Sequence, residues 1–203
     1  MTVDDALSHP TWNMGRKITT DSATLMNKGF EIIEAAHLFG FGTDMIDVVV
    51  HRESIVHSMV AYKDGAVIAQ LGLPSMKTCI AYSLFCPAHI DGVTPLPDLA
   101  KIGALSFFSP DEDTFGAMRI ARHAFNEGGT LPAILNYAND TAVGLFLDKK
   151  IKFTDITALV GETVHNFERT HNKLNYPAKF PGTEDILSAG DEAKEYVLSL
   201  VGE

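Results

Sequence analysis

Apolar residues recur every three or four positions along five stretches of the chain, and this period predicts helices. The first predicted helix covers residues 21–39, where Asp21 or Ser22 can cap the start and Gly40 can supply the end. Four more stretches lie in the second half, at residues 115–127, 132–147, 153–168 and 184–201. Four helices joined by short turns predict a small helical bundle.

A second pattern, typical of strands, lies between these helices. Residues 45–50, MIDVVV, form a short β-branched run that predicts a buried strand. Residues 55–62 and 66–72 flank Lys63-Asp64-Gly65, and an Asp-Gly pair between two strand-like runs predicts a hairpin with a type I′ turn. We expect at least these three strands to share one sheet.

The remaining segments are irregular. Residues 1–18 show no sustained period and predict a loop, and residues 73–98 are rich in Pro and Gly around one helix at residues 78–85. The fold class is therefore predicted to be α+β. A small mixed sheet with helices would occupy a substrate-binding and catalytic region at residues 1–98, followed by a four-helix bundle-like domain at residues 99–203.

Composition and charge exclude several classes of protein. A chain of 203 residues with 46% apolar and 21% charged residues is typical of a globular protein. Uncharged stretches are too short for a membrane span, and a net charge of −10 argues against a nucleic-acid partner. A small phosphorylated ligand stays compatible, because one Lys and backbone N–H groups can bind it locally. Cys79 and Cys86 predict buried, reduced thiols in a cytoplasmic protein.

The candidate chemistry lies in residues 9–36, HPTWNMGRKITTDSATLMNKGFEIIEAA. On a helix, Asn27, Glu31 and Glu34 fall within about 60° of one another and form a polar stripe. A solvated helix face is the simpler interpretation. Gly29 argues against it, since a mid-helix glycine costs about 1 kcal/mol relative to Ala and indicates a close approach of ligand or backbone.

Two further features of this segment favour a ligand. Ser22 lies near the predicted helix start, where free N–H groups and the helix dipole favour an anion. The preceding loop contains aromatic and cationic residues that suit a lid over a charged ligand, namely His9, Trp12, Met14 and Lys17.

This string resembles the 1-deoxy-D-xylulose 5-phosphate reductoisomerase family. The resemblance continues through HRESIVHSMVAYKDGAVIAQLGLPSM, KFTDI and LNYANDTAVGLFL, and so covers essentially the whole chain. It implies conversion of 1-deoxy-D-xylulose 5-phosphate to 2-C-methyl-D-erythritol 4-phosphate in isoprenoid biosynthesis. It also implies NADPH and Mg²⁺ or Mn²⁺ as cofactors and a homodimer as the assembly.

The resemblance assigns roles to individual residues. Glu31 would bind the metal, and Lys28 would lie beside the reacting oxygens as a catalytic group. The substrate phosphate and its neighbouring hydroxyls would be held by His9, Ser22, Asn27 and Lys28, and the lid would be formed by Trp12 and Met14. The cofactor side would be formed by Gly15, Pro74 and Met76. Glu34 and His57 would support these groups.

The chain also departs from the family pattern. It has no Gly-x-Gly-x-x-Gly after a strand and no Asp-Ser-Glu motif for the other two metal ligands, so it is expected to be a C-terminal half that is inactive alone. Asp140 stands where the family usually has Glu, with an effect expected to be structural. The acidic run at residues 111–113 predicts a solvated loop and helix cap.

Two other hypotheses remain open. One is a non-catalytic phosphosugar-binding or dimerisation module that uses the hairpin at residues 55–71. The other is a metal-dependent isomerase or aldolase that needs no nicotinamide and takes other carboxylates around Glu31. The remaining histidines and phenylalanines are predicted to have surface or packing roles. The surface or packing histidines are His37, His89, His123, His165 and His171, and the predicted bundle core contains Phe107, Phe108, Phe115, Phe125, Phe146 and Phe153. His51 and His57 together give only a weak signal for a metal site.

Overall fold

A computed structural model of the chain describes residues 1–8, 12, 14–171 and 181–202. The helices are α1 (Val3–Ala6), α2 (Arg16–Thr24), α3 (Met26–Phe39), α4 (Met76–Phe85), α5 (Leu99–Ile102), α6 (Ala117–Glu127), α7 (Leu131–Leu147), α8 (Phe153–His171) and α9 (Thr183–Val201). A 3₁₀ turn covers Thr43–Met45, and the strands are β1 (Val56–Ala61) and β2 (Val67–Leu71). This architecture confirms the α+β class. Within the described residues, no helix combines the length and the apolar character needed to span a bilayer.

The chain divides into two compact units. Of the described residues, the first unit combines 1–8, 14–47, 111–171 and 181–202, and the second combines 12 and 48–110. The packing units thus do not follow the predicted boundary at residue 98, because α2 and α3 pack with the C-terminal helices. As a division of function, that boundary stays a prediction.

Helix α7 lies at the centre of the first unit. Its apolar side chains are buried on several faces, including Ile134, Leu135, Ala138 and Val143. A helix that is apolar nearly all round is typical of a core position. Helices α6, α8, α9 and α2 all contact it, which confirms the predicted bundle and adds the N-terminal helices to it.

The helix predicted at residues 21–39 is two helices. The backbone breaks at Leu25, a left-handed residue with φ of 62°. Thr24 provides the physical reason: its hydroxyl accepts the Met26 N–H at 3.3 Å and donates to the Asp21 carbonyl at 3.2 Å. Such side-chain bonds compete with the helical ladder. The predictions of a loop throughout residues 1–18 and of a helix cap at residue 21 or 22 are therefore wrong.

Gly29 is the point where α3 meets α6. A Cβ atom at Gly29 would lie 2.9 Å from the Cβ of Ala121 and 3.4 Å from the carbonyl oxygen of Ala117. The close approach indicated by the sequence is thus an approach between two helices. On α3, Gly29 lies roughly 140–160° from the polar stripe, so packing this face turns the stripe away from α6.

The second unit contains the predicted hairpin, with β1 and β2 antiparallel. Its turn is not type I′, because within residues 62–66 only Gly65 has positive φ, at 90°. The Tyr62 N–H donates to the Ala66 carbonyl at 2.8 Å across a three-residue loop, and Ala66 N–H donates to Asp64 at 2.9 Å. This arrangement is typical of a type I turn followed by a glycine bulge.

The strand predicted at residues 45–50 is wrong, and the sheet has two strands rather than three. The Arg122 guanidinium donates to the carbonyls of Thr43 and Ile46, the latter at 2.8 Å. A side chain thus occupies acceptors that a neighbouring strand would otherwise use. Only Val50 pairs in a bridge, with Phe108.

Helix α4 confirms the helix predicted near residues 78–85, but the thiols beside it differ from expectation. Cys79 and Cys86 are free, as predicted, yet exposed, because α4 buries none of its residues within this chain. Phe107 and Phe108 also lie in the second unit and are about half exposed, so they are not bundle core. Phe146 is buried in the core of the first unit, and Phe125 and Phe153 are partly buried and pack against that core.

A polar network joins α2 to α7. The Asn139 amide, fully buried, donates to the carboxylate of Asp21 at 2.8 Å, and Asp21 is also buried. The Lys17 ammonium lies 2.9 Å from Asp21 and 2.9 Å from Asp140, whose side chain is 53% exposed. Burial lowers the pKa of Lys17, but its hydrogen bonds to Asp140 and Asp21 outweigh this and raise the pKa above its usual value. The predicted structural role of Asp140 stays a prediction, supported by this ion pair.

We expect Gly29→Val to lower the free energy of unfolding by about 2–3 kcal/mol, because the new methyl groups collide with Ala121. Urea unfolding measures this change. The matched control is Gly144→Val in α7, where a Cβ meets no atom within 4 Å and stability should change by less than about 0.5 kcal/mol. The double variant Gly29→Val/Ala121→Gly should recover part of the loss. Equal effects at Gly29 and Gly144 would contradict the packing explanation.

We expect Asn139→Ala to lower the free energy of unfolding by about 1–3 kcal/mol, because the buried Asp21 carboxylate loses a donor. The adjacent Asp140→Asn change removes one partner of an exposed ion pair and should cost less than about 1 kcal/mol. Thermal unfolding of both variants tests this order. A larger loss for Asp140→Asn would show that the exposed pair holds α2 in place.

Candidate functional site

An open cleft of about 490 Å³ lies in the first unit, between α2, α3 and α7. Asn27, Glu31 and Glu34 all line it, as expected for one face of α3. The polar stripe is therefore the wall of a cleft rather than a plain solvated face. The other lining residues are Lys17, Ile18, Asp21, Phe30, Ile33, Pro132 and Asn136.

Glu31 is the best-connected acid of the stripe. One oxygen accepts from the Asn27 amide at 2.7 Å, and the other pairs with the Lys28 ammonium at 2.5 Å. These contacts follow from spacings of four and three residues on one helix. Both charged side chains are nearly half exposed, so the pair adds little to stability and its partners can exchange. The carboxylate is therefore accessible to a cation from solvent.

Lys17 is a positively charged residue in the lining of the cleft. Besides its two carboxylate partners, its ammonium lies 5.1 Å from the centre of the Phe30 ring. Lys17 lies in the first turn of α2 rather than in the lid loop that the sequence predicts. Its position is thus set by a helix and by two ion pairs.

Ser22 does not lie at a helix start, and the helix start that follows it is that of α3. Ser22 lies near the end of α2 and donates to the Ile18 carbonyl at 2.9 Å, so it does not begin a helix. Helix α3 begins at Met26, which places Asn27 and Lys28 in its first turn. The N–H groups and the dipole that favour an anion therefore lie beside these two residues.

The remaining predicted site residues are distributed over both units. Gly15 is the N-cap of α2, and the half-buried Met14 precedes it. His9 lies outside the described residues. Trp12 belongs to the second unit, where its indole N–H donates to Ser54 at 3.2 Å. Pro74 and Met76 also belong to that unit, with Met76 opening α4 in an exposed position.

Other motifs from the sequence have structural contacts. Asp111 accepts the Thr114 N–H at 3.0 Å in a loop, while the N-cap of α6 is Gly116 rather than an acid. His51 stacks on Phe107 at 4.7 Å and hydrogen-bonds Ser106 at 2.8 Å. His57 lies 3.2 Å from the Gly72 carbonyl. The two histidines thus have separate backbone partners.

Sequence reasoning missed the contribution of α7 to the cleft. Asn136 lines the cleft, and Asn139 and Asp140 hold α2 through Asp21 and Lys17. These three polar residues are spaced by three and four in a helix that is otherwise apolar. That spacing is the signal that would have found them, since a polar stripe on a core helix must face a partner or a cavity.

Comparison with known proteins identifies the relationship of the chain. Residues 71–196 match the family described as the DXP reductoisomerase C-terminal domain. Residues 1–39 match the family described as the 1-deoxy-D-xylulose 5-phosphate reductoisomerase C-terminal domain.

Curated relatives agree. A 1-deoxy-D-xylulose 5-phosphate reductoisomerase of Crocosphaera subtropica is 48% identical over 198 residues, which are 98% of this chain and 48% of that protein. The enzyme of that name from Endomicrobium trichonymphae is 46% identical over 204 residues, covering 100% of this chain and 51% of its own. The chain thus spans about half the length of the curated relatives it matches.

Solved structures give the same result. A crystal structure of DOX-P reductoisomerase in complex with NADPH, fosmidomycin and magnesium matches with a TM-score of 0.92 and 40% identity, over 99% of this chain and 50% of that chain. The Zymomonas mobilis enzyme in complex with NADPH matches with a TM-score of 0.86 and 36% identity, over 100% of this chain and 50% of its own. The chain therefore belongs to the 1-deoxy-D-xylulose 5-phosphate reductoisomerase family of enzymes and corresponds to its C-terminal domains.

Proposed function

We propose that this chain supplies the substrate- and metal-binding part of a reductoisomerase that converts 1-deoxy-D-xylulose 5-phosphate to 2-C-methyl-D-erythritol 4-phosphate with NADPH. The observation that carries the proposal is the Glu31 carboxylate in the cleft wall, which both Asn27 and Lys28 contact on α3. In this proposal the enzyme is cytoplasmic and works as a homodimer. In this proposal the chain alone is inactive, because its match covers only about half the length of each relative.

Glu31 fits the role of a ligand for Mg²⁺ or Mn²⁺. Its carboxylate is accessible, and it supplies the hard oxygen donors that these ions prefer. Glu34 adds a second carboxylate on the same wall. One or two carboxylates bind such an ion weakly, so the proposal expects further ligands from the part of the relatives that this chain does not match. When bound, the metal would polarise two oxygens of the substrate.

Asn27 and Lys28 are proposed to bind the substrate at the start of α3. The helix dipole and the Lys28 charge both favour a phosphate or an ionised hydroxyl there. Lys28 would release Glu31 to the metal and turn its ammonium toward the reacting oxygens, where it balances negative charge. Ser22 and His9 remain part of the proposed phosphate site.

Trp12 and Met14 are proposed to close over the bound substrate and exclude water. Gly15, Pro74 and Met76 are proposed to face the nicotinamide. The reaction would rearrange the carbon skeleton by retro-aldol and aldol steps and then reduce the resulting aldehyde by hydride transfer. In each step the residues of this chain would hold the two substrate fragments close together and correctly oriented, which lowers the entropic part of the activation barrier.

A non-catalytic dimerisation module is the second candidate, favoured by one observation. The hairpin exposes large apolar side chains on both strands, among them Val60 on β1 and Val67 and Ile68 on β2. Exposed apolar patches of this kind often mark protein interfaces. This surface is compatible with the enzyme hypothesis as well, because a homodimer needs one.

We expect no NADPH oxidation by the 203-residue chain alone with 1-deoxy-D-xylulose 5-phosphate and Mg²⁺. A fusion protein that joins the upstream half of the Crocosphaera subtropica enzyme to the start of this chain should oxidise NADPH. In that fusion, Glu31→Gln should lower kcat by at least about 100-fold, because a metal ligand is lost. The absorbance of NADPH measures the rate.

The matched control is Glu195→Gln, an exposed acid on α9, which should leave the rate within about twofold. A fusion that folds and binds NADPH but does not turn over would overturn the enzyme hypothesis and favour the dimerisation module. NADPH oxidation by the chain alone would instead indicate an unrecognised cofactor site in these residues.

We also expect Lys28→Gln in the active fusion to raise KM for the sugar phosphate by at least about tenfold, because the substrate phosphate loses a charged partner. Steady-state kinetics at saturating NADPH measure KM and kcat separately. Lys28→Arg, which keeps the charge, should recover part of the loss. An unchanged KM in both variants would remove Lys28 from the proposed phosphate site.

A further inference from the structure

A cluster of metal-ligating side chains lies between α6 and α8. His123 and Glu127 are four residues apart on α6, and Glu168 faces them from α8. One ligand atom from each of these three residues lies within 4.8 Å of the other two. His165, three residues before Glu168, approaches the same carboxylate at 3.6 Å. Imidazole nitrogens and carboxylate oxygens from two helices thus converge on one point.

The geometry is close to that of an occupied site. His123 Nε2 lies 3.0 Å from the Glu168 carboxylate oxygen. Two ligands bound tetrahedrally at about 2.0 Å from one zinc ion are separated by about 3.3 Å. The ligand atoms of the three residues, which lie within 4.8 Å of one another, would reach this separation by rotation of their side chains.

The charge of the cluster also favours a cation. Among the ion pairs of the described residues, Glu127 and Glu168 have no lysine or arginine partner. His123 is 46% exposed and Glu168 is 23% exposed, which leaves an open path from solvent.

We propose that His123, Glu127 and Glu168, with His165 beside them, form a binding site for a divalent transition-metal ion, best matched by Zn²⁺. A mixed set of imidazole and carboxylate ligands suits zinc, whereas Mg²⁺ prefers oxygen ligands alone. The site joins α6 to α8 and is composed of different residues from the cleft that contains Glu31.

Such an ion would cross-link α6, the helix that packs against α3, to α8. One face of α6 carries Ala117 and Ala121, which contact Gly29. A different face of α6 carries His123 and Glu127. A zinc ion bound there would link α6 to α8 through its ligands and would not contact α3. Because an ion that binds only the folded chain stabilises it by mass action, the expected effect is a higher Tm.

The test is calorimetric titration of Zn²⁺ into the 203-residue chain in the presence of millimolar Mg²⁺. We expect one saturable site and a rise in Tm of about 5 °C at a hundredfold excess over Kd. His123→Gln and Glu127→Gln should each weaken binding by at least about tenfold. Glu162→Gln, an exposed acid elsewhere on α8, is the matched control and should not change it.

Glu31→Gln separates this site from the cleft and should leave zinc binding unchanged. X-ray absorption of the zinc-loaded chain gives a readout that needs no variant, with nitrogen ligands expected in the first coordination shell. Binding that survives His123→Gln, disappears in Glu31→Gln or shows oxygen ligands alone would overturn the proposal. The absence of saturable binding would do the same.

Discussion

The contact between Gly29 of α3 and Ala121 of α6 determines where the polar stripe of α3 points. Because no side chain separates the two helices there, α3 is buried along one face, and its polar stripe is turned to the opposite side. Helix α7 then completes the cleft with Asn136, while the Asp21–Asn139 bond holds α2 against α7. The cleft is thus a product of helix packing, although the residues that line its acidic wall are adjacent in sequence.

The local sequence pattern was sufficient to predict an element where the residues of that element alone determine its structure. The helices of the bundle follow from apolar spacing, and the hairpin follows from two strand-like runs around Gly65. The same logic placed Asn27, Glu31 and Glu34 on one face of α3, since that needs only the helical period. The family resemblance rests on long motifs and is confirmed over nearly the whole chain.

The errors have a common cause in contacts that are distant in sequence or specific to one side chain. The break at Leu25 depends on hydrogen bonds of Thr24, which compete with a good apolar period. The apolar run at residues 45–50 is not a strand because Arg122, far along the chain, binds the carbonyls beside it. His123 was predicted to be a surface or packing histidine, and only the packing of α6 on α8 brings it to Glu168. Single-sequence patterns carry no information on such pairs.

The discontinuity of the first unit has a consequence for how the protein is made. Roughly 80 residues separate the end of α3 from the start of α6, and translation at about 5–20 residues per second takes roughly 4 to 16 seconds to produce them. During this interval the apolar face of α3, including Ile32, Ile33 and Ala36, lacks the partner that later buries it. Nascent α3 is therefore a natural target for chaperones at the ribosome, and slow codons within residues 48–110 would lengthen its exposure.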